Sequence, residues 1–284
     1  MVSIQDFSGY PPTWCPGCGN WGIGVAIKSA LVRLQMTPSQ TAVVFGIGCS
    51  GNMNDFLNAY ALHSLHGRSI PNAIGIKLAN HKLLVMAVVG DGDCYGEGGN
   101  HFLHACRGNH DIKVIVHDNR VYGLTTGQVS PTARKGTRSK STPFGIIETP
   151  VNALTLALTQ GATFVAQTFA GDTVHMTEII KKALIHRGFA LVNVLQPCVT
   201  FNKINTYHYY MNHTYKLPDD EEKIDYRRAL DMSLEVIEEK YPLGVLYKID
   251  RPAFHEQLPQ LAPEKTLLEH DRFVDFELLL REFR

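Results

Sequence analysis

Short apolar, β-branched runs punctuate the first two hundred residues, at 42–47, 83–89, 113–116, 163–166 and 190–195. Several lack the alternation of a half-buried strand, the pattern of strands covered on both faces of a parallel sheet. Between them, 21–34, 71–79, 98–106, 151–160 and 174–186 carry helix-like patterning. In the last, the helical period puts Val174, Ile179, Ile180, Ala183 and Leu184 on one face. Strand–helix–strand alternation predicts an α/β fold, a mostly parallel sheet with helices on both faces. Ligands of such sheets bind beyond the carboxyl ends of the strands. Chemistry is therefore expected in the loops after Ile47, Val89 and Val116.

The texture changes near Cys198. Residues 206–215 are dense in Tyr, His and Asn, and Lys216-Leu-Pro-Asp-Asp-Glu-Glu precedes an apolar-periodic stretch through Tyr226, Leu230, Leu234 and Ile237. Acidic residues ahead of such a stretch favour a helix start through the macrodipole. Beyond Tyr241, prolines at 242, 252, 259 and 263 predict an extended tail with a short terminal helix. The expected organisation is one domain over 1–205 and an irregular C-terminal extension over 206–284.

Charge narrows the partners. The 284 residues carry 27 Lys+Arg against 27 Asp+Glu, which removes the general attraction for nucleic acid or an anionic membrane. No apolar run approaches the roughly 20 residues that span a bilayer. The N-terminal segment lacks the basic start and apolar stretch of a secretory signal, so a cytoplasmic location is expected. In that reducing setting the six Cys are expected as metal ligands or core residues rather than disulfides.

Gly90-Asp91-Gly92-Asp93 follows one predicted strand and His117-Asp118-Asn119 follows the next, with 28 residues from Asp91 to Asn119. That length is one helix and one returning strand, so the Asp and the Asn reach the same sheet edge. Mg²⁺ takes octahedral oxygen ligands, some from protein and the rest from phosphate and water. Glycines at 90 and 92 allow close backbone approach to a phosphate. The pair resembles the thiamine diphosphate motif. By that resemblance Asp91, Asn119 and the Val121 carbonyl hold Mg²⁺, while Gly92, Asp93, Gly123 and Leu124 line the diphosphate.

Trp14-Cys15-Pro16-Gly17-Cys18-Gly19 is a Cys-x₂-Cys knuckle without a second knuckle to complete a zinc site. Cys49 and Cys198 each follow a predicted strand, whereas Cys94 and Cys106 sit among apolar neighbours and read as small buried hydrophobes. Cys15, Cys18, Cys49 and Cys198 supply the four thiolates a 4Fe–4S cluster needs. Spacing alone leaves cluster and zinc both open.

Taken together, Trp14-Cys-Pro-Gly-Cys-Gly-Asn, Gly46-Ile-Gly-Cys-Ser-Gly, His66-Gly-Arg, Gly75-Ile-Lys-Leu-Ala-Asn, Gly90-Asp-Gly-Asp and Asn119-Arg-Val-Tyr-Gly-Leu-Thr-Thr-Gly-Gln resemble the β subunit of 2-oxoacid:ferredoxin oxidoreductases. Ser130-Pro-Thr and Pro197-Cys-Val-Thr-Phe-Asn extend the likeness, which covers about 12–205. The resemblance implies a thiamine diphosphate-binding fold with a 4Fe–4S cluster on the four Cys. It also implies CoA-dependent oxidative decarboxylation of a 2-oxoacid to acyl-CoA, CO₂ and reduced ferredoxin. The Ile47-Gly48-Cys49-Ser50 loop would touch the cofactor as well as the cluster, and His66-Gly67-Arg68 would approach the active centre, with His66 the catalytic candidate. A cluster accepts electrons one at a time, which redox-silent Zn²⁺ does not.

The carboxylic acid that activates the aminopyrimidine is expected on a partner α (or fused γα) subunit, so the isolated chain is expected to be inactive. Many relatives carry Lys where this sequence has Asn52 and Thr126. With Arg68 these are the substrate-end candidates, and the missing cations point to a monocarboxylic 2-oxoacid such as pyruvate rather than 2-oxoglutarate. Two rival readings are a non-redox thiamine diphosphate decarboxylase subunit and a zinc-stabilised scaffold.

Overall fold

The computed structural model describes residues 1–218, 225–261, 265–269, 275–281 and 283. The acidic residues at 219–222 and Pro263 lie outside them. Five strands are covered from both sides: β1 (Thr41–Phe45), β3 (Leu84–Gly90), β4 (Lys113–Asp118), β7 (Phe164–Phe169) and β8 (Ala190–Leu195). All are mutually parallel, as their non-alternating sequences require. With β2 (Tyr60–His63), β9 (Thr214–Lys216) and β10 (Tyr241–Lys248) they form an eight-stranded sheet of order β2-β1-β3-β4-β8-β7-β10-β9. A two-residue ribbon, β5 (Val121–Tyr122) with β6 (Gln128–Val129), stands apart.

One core lies between the sheet and helices α1 (Asn20–Arg33) and α5 (Thr173–Ile185). The other lies under α2 (Ser69–Ala79), α3 (Gly99–Gly108), α4 (Ala153–Thr159) and α7 (Tyr226–Leu234). Helices α6 (Tyr207–His213) and α8 (Phe276–Arg281) complete the chain. Strand periodicity divides β4 between the cores, Ile115 to one, Val114 and Val116 to the other. The fold is therefore the expected α/β sheet with helices on both faces. Among the described residues no helix is long and apolar enough to cross a membrane.

Several local expectations need correction. Val174 opens α5 on the solvent side, and Met176 takes the buried place. In α7, Tyr226 and Leu234 are exposed and Ala229, Met232 and Ser233 face the core, because α4 packs on that side; Asn152 and Thr155 of the α4 start bond Ser233. The largest difference is Tyr241–Lys248, expected as irregular tail. It runs antiparallel to β7 and parallel to β9, so the region after 206 adds strands to the same sheet. Pro242 and Gly244 conceal it, being poor strand formers taken singly.

Candidate active site

The loops after β1, β2, β3, β4 and β8 gather at the carboxyl edge of the sheet. Asp91, the first residue after β3, turns one carboxylate oxygen toward the Arg120 N–H at 3.0 Å and the hydroxyls of Ser130 and Thr132. Thr132 also reaches Asp118 at 2.8 Å, and its single proton serves only one carboxylate at a time. Burial, then the Asp118 charge, push the Asp91 carboxyl up to about 7. Among the described residues no Lys, Arg or His forms an ion pair with it. A buried, uncompensated carboxylate is costly unless a cation meets it.

Asn119 stands one residue beyond β4. Its side-chain oxygen accepts the Val121 N–H at 3.0 Å and its carbonyl accepts the Asn202 amide at 3.1 Å. Asp91, the Asn119 side chain and the Val121 carbonyl are hard oxygen donors on one edge, the donor type Mg²⁺ takes. Between β3 and α3 the chain winds through a π-helical turn, Gly92–Glu97, a geometry often met at functional sites.

Asp93, expected to line the diphosphate, also joins neighbouring loops. Its carboxylate accepts the Gly67 N–H at 2.8 Å and the Ile47 N–H at 3.4 Å, and meets His66 Nδ1 at 2.8 Å. It thus ties the β1 and β2 loops to the β3 loop. Gly46 makes room for it, since a Cβ there would stand 2.2 Å from Asp93 Oδ2. His66 is half-exposed and lies 3.4 Å from Glu97, to which Tyr122 also donates at 3.1 Å.

These loops enclose a cleft of about 70 Å³ lined by Ile47, Gly48, Ser50, His66 and Gly92 together with Asp91, Asp93, Asn119 and 121–125. Two buried polar atoms on its walls lack partners, Ser50 Oγ and His117 Nε2. Burial pulls the His117 pKa down to about 3, so the ring is neutral. With Nδ1 donating to Asn20 Oδ1 at 2.8 Å, Nε2 is left as an acceptor. Buried polar atoms without partners await a ligand, and oxygen donors, glycines and free polar groups fit a Mg²⁺ diphosphate. The cleft is far smaller than a whole thiamine diphosphate.

A second cavity of about 240 Å³ is lined by Cys15, Cys18, Cys49 and Cys198, with Asn52, Thr126 and Gln196. A Cβ at Gly123 would lie 3.5 Å from Cys49 Sγ and 4.0 Å from Cys198 Sγ, so this backbone runs in van der Waals reach of both sulfurs. Trp14 Nε1 donates to the Cys49 carbonyl at 2.7 Å, Gln196 Nε2 approaches Cys18 Sγ at 3.4 Å, and Tyr207 donates to Gly17 O at 3.1 Å. Burial raises the Cys18 thiol, and burial with the neighbouring sulfurs pushes Cys49 up to about 11. Thiols so placed become thiolates when a metal compensates them. Among the described residues no group of three His, Cys, Asp or Glu is placed to hold a metal ion, and the four cysteines share the lining of this one cavity. The cavity and the cleft share a wall of Cys49, Asn119, Gly123 and Leu124.

Cys94 and Cys106 are buried away from both. Arg68 lines neither: it is exposed, with its guanidinium on the Gly67 and Glu97 carbonyls. His117, Gln196 and the hydroxyls of Ser130 and Thr132 gain importance only from the fold. Ser130 and Thr132 belong to a recognisable Ser-Pro-Thr, but nothing in its spacing predicts a bond to Asp91.

The fold and this edge define a thiamine diphosphate-binding domain. Residues 46–194 match the family model of the C-terminal TPP-binding domain of thiamine pyrophosphate enzymes, and 198–263 match the C-terminal model of the pyruvate ferredoxin oxidoreductase β subunit. The 2-oxoacid:ferredoxin oxidoreductase subunit beta of Sulfolobus sp is 44% identical, covering 88% of this chain and 86% of its own. The 2-oxoglutarate synthase subunit KorB of Methanocaldococcus jannaschii is 36% identical, covering 88% and 93%. A solved 2-oxoglutarate:ferredoxin oxidoreductase from Magnetococcus marinus, with 2-oxoglutarate, coenzyme A and succinyl-CoA bound, superposes with a TM-score of 0.91 at 37% identity over 100% of this chain and 96% of that one. The chain belongs to the β subunits of the 2-oxoacid:ferredoxin oxidoreductases, enzymes that work as complexes with other subunits.

Proposed function

We propose that this chain holds both the thiamine diphosphate and a 4Fe–4S cluster of its complex, converting a 2-oxoacid and coenzyme A to acyl-CoA and CO₂ and passing electrons to ferredoxin. The observation that carries this reading is the common wall of Cys49, Asn119, Gly123 and Leu124 between the cleft and the sulfur cavity. Bound thiamine diphosphate supplies a carbon nucleophile and an electron sink for decarboxylation. Asp91, Asn119 and the Val121 carbonyl hold Mg²⁺, and Gly92, Asp93, Gly123, Leu124 and the 47–50 loop position the diphosphate side. Asp93 orients His66, which holds or moves a proton at the cleft mouth. Cys15, Cys18, Cys49 and Cys198 hold the cluster, and the exposure of Cys15 favours electron exit to a soluble carrier. Four cysteines lining a cavity that shares a wall with the cofactor cleft favour a redox-active cluster over redox-silent zinc.

The small cleft supports a site completed by the α subunit, which contributes the carboxylic acid facing the aminopyrimidine. Asn52 and Thr126 line the sulfur cavity and not the cofactor cleft, so the preference for a monocarboxylic substrate such as pyruvate rests on the missing lysines of the sequence, while the M. jannaschii relative and the M. marinus structure are named for 2-oxoglutarate.

Anaerobic co-expression with the α subunit tests the assignment. About four iron atoms per β chain attributable to these ligands, and a brown, dithionite-bleachable absorbance lost in Cys198→Ser, are expected. The isolated chain should be inactive, with turnover restored by α. A colourless, zinc-loaded active complex overturns the redox assignment, and a large kcat/KM advantage for 2-oxoglutarate overturns the substrate preference alone.

A further inference from the structure

A separate cavity of about 300 Å³ opens on the opposite face of the sheet. Side chains alternate along β4, so Asp118 leaves the face of His117 and, just beyond the strand, Arg120 follows it. Gln167 of β7 and Asn193 of β8 complete the floor, while Val151, Leu154 and Val236 form an apolar wall. None of its lining residues lines the cofactor cleft or the sulfur cavity.

Arg120 is the unusual member. It is only 8% exposed, and its guanidinium carbon lies 5.3 Å from the Tyr241 ring centre and 5.9 Å from that of Tyr210. One N–H goes to the Tyr241 hydroxyl at 2.9 Å, but the buried Nε has no partner. Among the described residues it has no ion pair. Asp118 accepts from Thr132 at 2.8 Å and Asn193 at 3.1 Å, and its charge supports the guanidinium from nearby without bonding Nε. The amides are engaged as well: Gln167 donates to the Pro242 carbonyl and accepts from Asn193. A buried guanidinium with an unanswered N–H is expensive, and its planar edge matches a carboxylate. At the rim, Arg134 is paired with Glu239, whereas Lys135 is exposed.

We propose that this cavity is a binding site for a small organic carboxylate with a compact apolar body. The carboxylate meets Arg120, the body lies against Val151, Leu154 and Val236, and Lys135 favours approach of the anion. A mostly apolar pocket with few convergent polar groups is the usual form of such a site.

Calorimetric titration of the intact α/β complex with benzoate tests it, with benzamide as the neutral isostere. One saturable benzoate site per β chain is expected, and benzamide should neither bind there nor compete. Val236→Trp fills the cavity away from the Mg²⁺ loop and should weaken benzoate by at least about tenfold. Its kcat/KM for the 2-oxoacid without benzoate should stay near wild type and so report folding. Lys135→Glu at the exposed rim needs no repacking and should weaken benzoate by roughly threefold. Absence of saturable benzoate binding, unchanged affinity in both variants, or equal binding of benzamide overturns the proposal. Benzoate held at the substrate site would show as that unchanged affinity.

Discussion

Asp111 stands just before β4 and Asp91 just after β3, at opposite edges of one sheet, and their surroundings are opposite too. Asp111 lies between two buried lysines, 2.7 Å from Lys77 and 2.6 Å from Lys113. Those lysines are themselves saturated, Lys77 on the Leu83 carbonyl and Lys113 on the Gly188 and His186 carbonyls. Burial alone would raise the Asp111 pKa, but the two ammonium groups outweigh it and hold the carboxyl well below the usual range. Asp91 has hydroxyls and an amide but no cation, and a second carboxylate nearby. The first edge has balanced its charge within the chain and serves structure. The second has left a negative charge for something outside the chain to balance, and that is where chemistry is expected.

Removing each charge should therefore damage different properties. Asp91→Asn should lower turnover of the complex by more than the roughly 10–100-fold typical of losing a group that merely supports a metal ligand, and raise the Mg²⁺ concentration needed for activity. A near-normal Mg²⁺ dependence would remove Asp91 from the metal site. Asp111→Ala leaves two buried ammonium groups without a counter-ion and should cost about 3–5 kcal/mol of stability, read as a lowered unfolding midpoint. The Mg²⁺ requirement of what remains folded should not move; if it moves, the two edges are coupled and the contrast fails.

The smallest effect concerns His186, beside Lys113 at the same structural edge. Burial, then the Lys113 and Lys248 charges, pull its pKa down to about 4. Protonation therefore favours the unfolded chain. Stability from this group is whole above the ordinary His range, falls as pH drops from about 6.5 toward 4, and changes no further below that. The loss should be on the order of 3 kcal/mol, the ring being almost wholly buried. His186→Gln should flatten that part of the unfolding-midpoint profile; an equally steep profile would place the pH sensitivity elsewhere.

Much of the strand core was legible because burial on both faces leaves a local mark: short, largely non-alternating apolar runs in β1, β3, β4 and β8, broken in β8 only by Asn193. Tyr241–Lys248 was not, because a strand containing Pro242 and Gly244 is stabilised by its neighbours β7 and β9 rather than by its own propensity. Likewise the Tyr-rich stretch looked like irregular tail. It forms α6, capped by Thr206, with Tyr207 on the cysteine knuckle and Tyr210 against Arg120.

For the site, sequence alone determined the donor types and the order in which they meet the sheet edge: Asp91 and Asn119 each just past a strand, and four cysteines divided among a knuckle and two loop ends. Chain connectivity and the strand period fix such things. Only the tertiary structure decided which atoms lack a partner, because satisfaction of a buried group depends on what arrives from distant segments. Ser130 and Thr132 come to Asp91, and Asn20 comes to one nitrogen of His117 and leaves the other free. Arg120, placed by β4 on the far side of the sheet from His117, is left with a donor unanswered for the same reason.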